Sequence, residues 1–386
     1  MDVSISERMR SLLRCDLDWQ YLLEMADRHG VIPLLHYHLN SIAAETIPPQ
    51  VISQLRNDNE KNTKQSLFLT GELIKLINLL EAHGIQAAPF KGPTLALLTY
   101  GDVGLRQFAD LDILVRKQDV PRIKELLVSR GFRPEPELNN AQEAALLRFD
   151  CAYNFANEQS VLLDVHWNFA PRYFSFDVDT NPLWDRLEPI TIGGKEVQSL
   201  SPEDLLLALC LHGFTHSWER LGWICDVASL IDGPNSIDWQ FVWHNAAHVG
   251  SRRILSLGLL IASELLEAPI PEDVLKVIKS DRTVVAVSER FQQQLFVRGD
   301  DSPGLFEDAL LHVRMRERTR DKLRSCLRLA ITPRVFDWTY VSVPDWVFFL
   351  YYPLRPIRLA GKYGAKLLRG SANQRVFDRQ SVKEHS

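Results

Sequence analysis

Three aspartates carry the chemistry that this sequence offers. Asp110-Leu111-Asp112 leads into the apolar run Ile113-Leu114-Val115, and Asp164 lies inside the run from Val161 to Trp167. In a β-strand, side chains two apart share a face, so Asp110 and Asp112 project together while Leu111 and Ile113 face the core. The same alternation puts Leu162, Asp164 and His166 on one face, with Leu163, Val165 and Trp167 on the other. Two neighbouring carboxylates repel unless a cation lies between them. A hard divalent ion such as Mg²⁺ takes oxygen ligands of this kind. A carboxylate on a central strand costs free energy unless it is paired or metal-bound. Those physical facts point to a cation site.

The flanking sequence supplies elements to position these groups. Residues 1 to about 85 read as helical, broken at Pro48-Pro49 and continuing as one long amphipathic segment from Val51 to His83 with Gly84 as its cap. Ile85 to Phe90 reads as a short strand feeding the turn Lys91-Gly92-Pro93, and Thr94 to Tyr100 as a packed helix. Leu111 to Val115 is a second strand, Asp119 to Arg130 a helix closed by Gly131, and Cys151–Ala156 with Val161–His166 a hairpin. This alternation argues for an α/β unit rather than an all-helical one. Residues from Pro171 to about Gln198 look irregular. Ser201-Pro202-Glu203-Asp204 is a helix start, with Ser at the cap, Pro just inside and acids in the first turn. From there to about residue 330 nearly everything fits helices, and residues 371–386 are polar and expected to be disordered.

Composition sets the bounds. The chain has 386 residues, 46% hydrophobic and 24% charged, which suits a globular protein with two or three packed units. A net charge of −5 gives no global basic field, which argues against wholesale coating of nucleic acid. Five cysteines without CxxC spacing, each in apolar company, read as buried free thiols in a reducing compartment. No apolar signal region opens the chain, and no stretch approaches eighteen uncharged apolar residues, so a cytoplasmic protein without a transmembrane segment is expected.

Taken together, KG, LY, R, DLDILV, GF, LLDVHW and LHGFTHSWERLGWICDVASL, in that order, resemble the nucleotidyltransferase superfamily that includes DNA polymerase β and kanamycin nucleotidyltransferase. More closely, they are similar to a bacterial family of uncharacterised nucleotidyltransferases, over roughly residues 65 to 235. The resemblance implies an α+β fold: a nucleotidyltransferase core with a short mixed sheet at residues 65–200, an N-terminal helical segment at 1–64 and a C-terminal helical domain at 201–370. It implies that Asp110 and Asp112 hold Mg²⁺ (or Mn²⁺) on an NTP, and that Asp164 completes a second metal site and helps activate the attacking group. Gly92 would let the backbone approach phosphate, with Lys91, Thr94 and Arg106 as further phosphate contacts. Much of the superfamily carries Gly-Ser after the first strand, whereas this turn is Lys91-Gly92-Pro93-Thr94, and Pro93 has no N–H to donate.

The helical half adds a second group. His212 and His216 lie four apart and so share a helix face, a spacing that zinc can use. No Glu follows His212, however, and Gly213 intervenes. The resemblance favours a helical lid in which Trp218 or Trp223 stacks on a base, His212 or His216 touches phosphate or acceptor, and Asp226 orients one of them. Further on, seven basic residues from Arg314 to Arg328 read as one basic helix, either a solvated face or an RNA surface. Phe348 to Tyr352, followed by Arg355, Arg358, Lys362, Lys366 and Arg369, is expected to dock onto the body rather than onto a membrane, because Pro344, Pro353 and Pro356 interrupt it. The implied reaction is Mg²⁺-dependent transfer of a nucleoside monophosphate from an NTP to a hydroxyl or phosphate of an acceptor, releasing pyrophosphate. A second reading is an RNA-modifying enzyme of toxin type, and a third a non-catalytic nucleotide-binding protein.

Overall fold

The computed structural model describes residues 3–42, 47–176, 178–234, 236–297, 305–340 and 343–361. The expected disordered tail and the basic residues Lys362, Lys366 and Arg369 lie outside them. The chain forms two compact units, which divide it differently from the three segments expected. One comprises Met1–Glu137, Cys151–Ala170 and Asp177–Gly299; the other Leu138–Asp150, Pro171–Phe176 and Asp300–Ser386.

The first unit is α+β. Its sheet holds β1 (Ala87–Pro89), β2 (Asp110–Val115), β3 (Arg133–Glu135), β4 (Ala152–Ala156) and β5 (Leu162–His166), in the order β1-β2-β5-β4-β3. The β2–β5 pairing is parallel and the other three are antiparallel, so the sheet is mixed. Leu111, Ile113, Leu163 and Val165 are all buried, as a strand between two neighbours requires. Pro89 is tolerated because β1 is an edge strand.

Before the sheet, the helix Pro49–Ala82 runs for about 50 Å. It buries Leu69, Leu73, Leu76, Ile77 and Leu80 at helical spacing. Besides the short strand β3, a hairpin and a helix add to the elements expected from the sequence. Glu188–Ile192 (β6) and Lys195–Ser199 (β7) form a hairpin inside the stretch expected to be irregular. Gly193 and Gly194 both take positive φ, as a two-residue primed turn demands. In the second unit, the helix Asn140–Phe149 opens on a reciprocal capping box between Asn139 and Gln142.

After the sheet the first unit is helical. Ser201 caps the helix Pro202–Thr215 as expected, accepting from the Asp204 N–H. Trp218 is fully buried beneath that helix, and a Cβ on Gly213 or Gly258 would come within 3.0 Å of its indole. It therefore belongs to the core, which corrects its expected place in a lid.

The second unit also departs from expectation. The basic stretch is not one helix: Leu305–Arg314 ends, Met315 and Arg316 are buried, and Thr319–Ile331 begins. The Arg316 guanidinium lies 3.4 Å from the Phe176 ring centroid, and Arg334 lies 4.1 Å from that of Tyr173. Arg355 and Arg358 both donate to Asp337. His312 stacks on Phe174 with ring centroids 3.8 Å apart. Burial, followed by the charges of Arg316 and Arg334, pushes His312 down to about 3.

That shift has a testable sign. The unfolded chain takes up the His312 proton near pH 6.5 while the folded chain keeps the ring neutral. Its stabilising share is complete above pH 6.5 and is lost as pH falls towards about 3. Urea unfolding at pH 7 and pH 5 should show a loss that His312→Phe reduces by roughly 2 kcal/mol. An equal loss in both proteins would exclude this residue as the cause.

Of the five cysteines, Cys210 is buried and Cys151 and Cys225 are half-buried, but Cys15 and Cys326 are exposed. That corrects the expectation that all are interior; all five are free. No helix among the described residues is long and apolar enough to cross a membrane.

Candidate active site

Strand pairing builds the site. The parallel register of β2 on β5 sets Asp112 opposite Asp164, and the antiparallel register of β4 on β5 sets Asn154 on the other side of Asp164. Asn154 Nδ2 donates to Asp164 Oδ1 at 2.7 Å, fixing that carboxylate from its flank. His166, two residues on, falls on the same face, and its Nε2 donates to Asp112 Oδ1 at 3.0 Å. Lys91 Nζ donates to the same oxygen at 2.9 Å. Asp112 is 4% exposed and Lys91 9%, so this is an interior ion pair.

The Lys-Gly turn is what brings Lys91 there. Lys91 sits in extended conformation just before the helix Gly92–Tyr100. Gly92 takes φ +55°, and a Cβ on it would lie 3.3 Å from the Asp110 carbonyl oxygen. Only glycine allows the turn to lie this close to the start of β2. Pro93 falls within the first turn of the helix, where its missing N–H costs no intrahelical bond. Thr94 is completely buried, and its hydroxyl has no hydrogen-bond partner.

Electrostatics separates the three carboxylates. Burial opposes ionisation of Asp112, but the Lys91 charge and the hydrogen bond from His166 outweigh it and hold the carboxyl below the usual range. Asp164 goes the other way: burial, then the Asp112 charge, pushes it up to about 6. Asp110 is also raised, by burial and then by Asp112. One carboxylate is firmly ionised and two resist it, as expected of clustered acids short of positive charge.

Asp112, Asp164 and His166 each offer a ligand atom, and these atoms lie within 4.8 Å of one another. Two carboxylates and an imidazole suit Mg²⁺ or Mn²⁺, the latter accepting nitrogen more readily. His166 Nδ1 is buried without a hydrogen-bond partner, so with Nε2 donating to Asp112 it is left as an acceptor nitrogen that the protein itself does not use. Asp110 is not in this set of three, although its charge contributes to raising Asp164. No role had been read for His166; the alternation that placed it on the face of Asp164 was the available signal.

The remaining candidates fall into two groups. His212 and His216 stand with ring centroids 4.6 Å apart, and Trp223 lies against both at 4.9 and 5.5 Å. Burial and then the Lys91 charge push His212 well below its ordinary value and His216 down to about 4, so both rings are neutral at neutral pH. The charges of Lys91 and Asp112 both act on the two rings, in opposite directions. Among the described residues, neither belongs to a group of three with metal-ligand spacing.

Arg106 and Asp226 form the other group. Arg106 Nε donates to both Asp226 oxygens at 3.0 and 3.1 Å, and Nη2 donates to Oδ2 at 3.0 Å. Tyr100 Oη donates to Asp226 Oδ1 at 3.1 Å. Asp226 thus faces Arg106 and Tyr100, not a histidine as expected. Two of the three guanidinium nitrogens of Arg106 are committed to this pair instead of being presented to a phosphate.

With this geometry in view, the sequence matches the family described as uncharacterised nucleotidyltransferase over residues 16–267. The chain belongs to that nucleotidyltransferase family. No curated protein matches it. Among solved structures, that of ANT(2")-Ia in complex with adenylyl-2"-tobramycin is similar over 58% of this chain and 99% of that one, at 13% identity and a TM-score of 0.29. An antigenic nucleotidyltransferase-like protein from Paracoccidioides brasiliensis is similar over 53% of this chain and 96% of that one, at 19% identity and a TM-score of 0.27. The nucleotidyltransferase match takes in every candidate residue from Lys91 to Asp226, together with the N-terminal helices from residue 16. The helices after residue 267 lie beyond it.

Proposed function

We propose that this nucleotidyltransferase moves a nucleoside monophosphate from an NTP to a hydroxyl or phosphate of an acceptor, releasing pyrophosphate, at Asp110, Asp112 and Asp164. The observation that carries the reading is the β2–β5 register, which pairs Asp112 with Asp164 and adds His166 to the same face. A divalent Mg²⁺ or Mn²⁺ held by Asp112 and Asp164, with Asp110 and His166 beside them, would supply charge stabilisation to the oxygens of an in-line displacement. Asp164, with its carboxyl pushed up to about 6, is suited to hold the proton that leaves the acceptor hydroxyl. Lys91 and the backbone of Gly92, at the N-terminal end of the helix Gly92–Tyr100, offer positive charge and N–H donors to phosphate. Pro93 stands where much of the superfamily has its serine, and the nearest hydroxyl to take its part is that of Thr94, buried and without a hydrogen-bond partner. His212 and His216, on which the Lys91 charge acts, are assigned with the adjoining Trp223 to contact with the nucleotide. Arg106 is tied through Asp226 to the helix Leu221–Ile231, which carries Trp223.

The test is direct. Purified protein given each labelled NTP with MgCl₂ or MnCl₂ and a broad acceptor mixture should release pyrophosphate and transfer label. Label transfer that persists unchanged in EDTA would overturn the metal assignment.

A further inference from the structure

In the second unit, the stretch from Asp345 to Gly361 has two unlike sides. It opens as a 3-10 helix over Asp345–Leu350 and continues as a helix over 351–361. Phe348, Tyr351, Arg355 and Arg358 recur at spacings of three, four and three, and they form the side that packs inward. Phe348 lies against Trp338 and Tyr351, with ring centroids 5.8 and 5.2 Å apart. Tyr351 is buried, and its hydroxyl accepts from the Val343 N–H. Arg355 donates to the Leu329 carbonyl at 3.1 Å, and Arg355 and Arg358 share the Asp337 carboxylate. That side is docked.

The other side is not. Trp346, Leu350, Leu354 and Ile357 recur at spacings of four, four and three, with Phe349 beside them, and all five are exposed. Trp346 is 81% exposed, Ile357 67% and Phe349 63%, so these side chains have no packing within the chain to explain them. A stripe of five large apolar side chains in water marks an interaction surface. The charge pattern says of what kind. After Asp345 the sequence runs to Phe377 with six basic residues and no acidic one. Arg355 and Arg358 are committed to Asp337. The other four, Lys362, Lys366, Arg369 and Arg375, follow the stripe in the chain, Lys362 directly after Gly361. An apolar ridge succeeded by cations alone complements a surface that is hydrocarbon within and anionic outside. Nucleic acid supplies the anions but no hydrocarbon for Leu350, Leu354 and Ile357.

We propose that this stripe is a peripheral membrane anchor for anionic phospholipid. Trp346, Phe349, Leu350, Leu354 and Ile357 enter the boundary between headgroups and acyl chains, a depth of about 5–10 Å. Trp is a side chain that this boundary favours, because its ring is apolar and its N–H meets the headgroups. Lys362, Lys366 and Arg369 meet the lipid phosphates. The attachment is to one leaflet, since no helix among the described residues is long and apolar enough to cross a membrane. It is independent of the aspartate chemistry.

The test floats the full-length protein with vesicles of phosphatidylcholine alone and of phosphatidylcholine with phosphatidylglycerol. Partition onto the anionic vesicles is expected to exceed that onto the neutral ones at least tenfold. Trp346→Glu with Ile357→Glu should lower it at least tenfold while melting like the wild type, because both side chains are exposed. Should that variant misfold, Phe349→Gln alone is expected to lower partition severalfold. Lys362→Gln, Lys366→Gln and Arg369→Gln together should abolish the preference for anionic vesicles. No flotation of the wild type, or flotation unmoved by the apolar variants, would overturn the anchor. Sedimentation velocity supplies the competing outcome: a wild-type dimer that the apolar variants dissociate, with no vesicle binding, would assign the stripe to a second copy of the chain instead.

Discussion

Asp112→Asn is expected to lower nucleotidyl transfer by about a thousandfold or more, measured as pyrophosphate release at saturating NTP and Mg²⁺. Asparagine keeps the shape but removes the charge that a divalent ion and the Lys91 ammonium share. It also strands a lysine that is only 9% exposed, and an unpartnered buried cation costs several kcal/mol. The variant therefore risks losing activity through folding alone. Combining it with Lys91→Met removes the stranded charge. The double variant should regain most of the lost stability in a urea melt and none of the activity. Activity that returned with stability would show Asp112 to be a structural partner of Lys91 and not part of the chemistry.

The second large effect is on stability. Asp226→Leu should destabilise the protein by about 3–5 kcal/mol, because it leaves the buried Arg106 guanidinium without its carboxylate. It also takes the acceptor from Tyr100, whose phenol is held neutral well above its ordinary value by burial and then by the Asp226 charge. Arg106→Met with Asp226→Leu should recover most of that loss, since replacing both partners by apolar groups removes the desolvation cost along with the attraction. Arg106→Lys should also be less stable than wild type, because an ammonium cannot reproduce the two-pronged contact with Asp226. A single Asp226→Leu variant that melts within about 0.5 kcal/mol of wild type, the range of ordinary surface changes, would rule out this pair as a stabilising link between the Arg106 loop and the helix Leu221–Ile231.

Much of the architecture was readable because periodicity and punctuation agreed. The helix expected from Val51 to His83 spans Pro49–Ala82, bounded by the proline pair and Gly84. The hairpin of β4 and β5 and the cap at Ser201 also follow the sequence. The unexpected elements carry local signals of their own: Gly193-Gly194 for one hairpin, and Asn139 three residues before Gln142 for one helix. The basic stretch misled because arginine count says nothing of burial. Arg316 packs its guanidinium over an aromatic ring instead of meeting water.

The site was readable to the extent that one strand can specify it. Asp110, Asp112 and Asp164 were identifiable from alternation within their own runs. What was not identifiable is the company they keep, because partners are set by pairing between distant segments. No property of Lys91 alone says that it reaches Asp112, twenty-one residues on. Nor does any property of Arg106 say that it reaches Asp226, one hundred and twenty residues on. His166 lay on the expected face, but its contact to Asp112 exists only through the parallel register.

That register has a consequence for how such a chain can change over evolutionary time. Asp112 and Asp164 meet through hydrogen bonding between strands and not through closeness along the chain. Apart from β4, whose Asn154 holds Asp164, the segment between β2 and β5 can vary in length, provided it returns β5 in phase. Here it includes two helices, Val120–Ser129 and Asn140–Phe149, and the antiparallel strands β3 and β4, and its residues Leu138–Asp150 belong to the second compact unit. A slip of one residue in β5 would instead turn Asp164 inward and Leu163 outward, dismantling the proposed site at a stroke. An insertion between the strands leaves the pairing of Asp112 with Asp164 intact, whereas one within either strand does not.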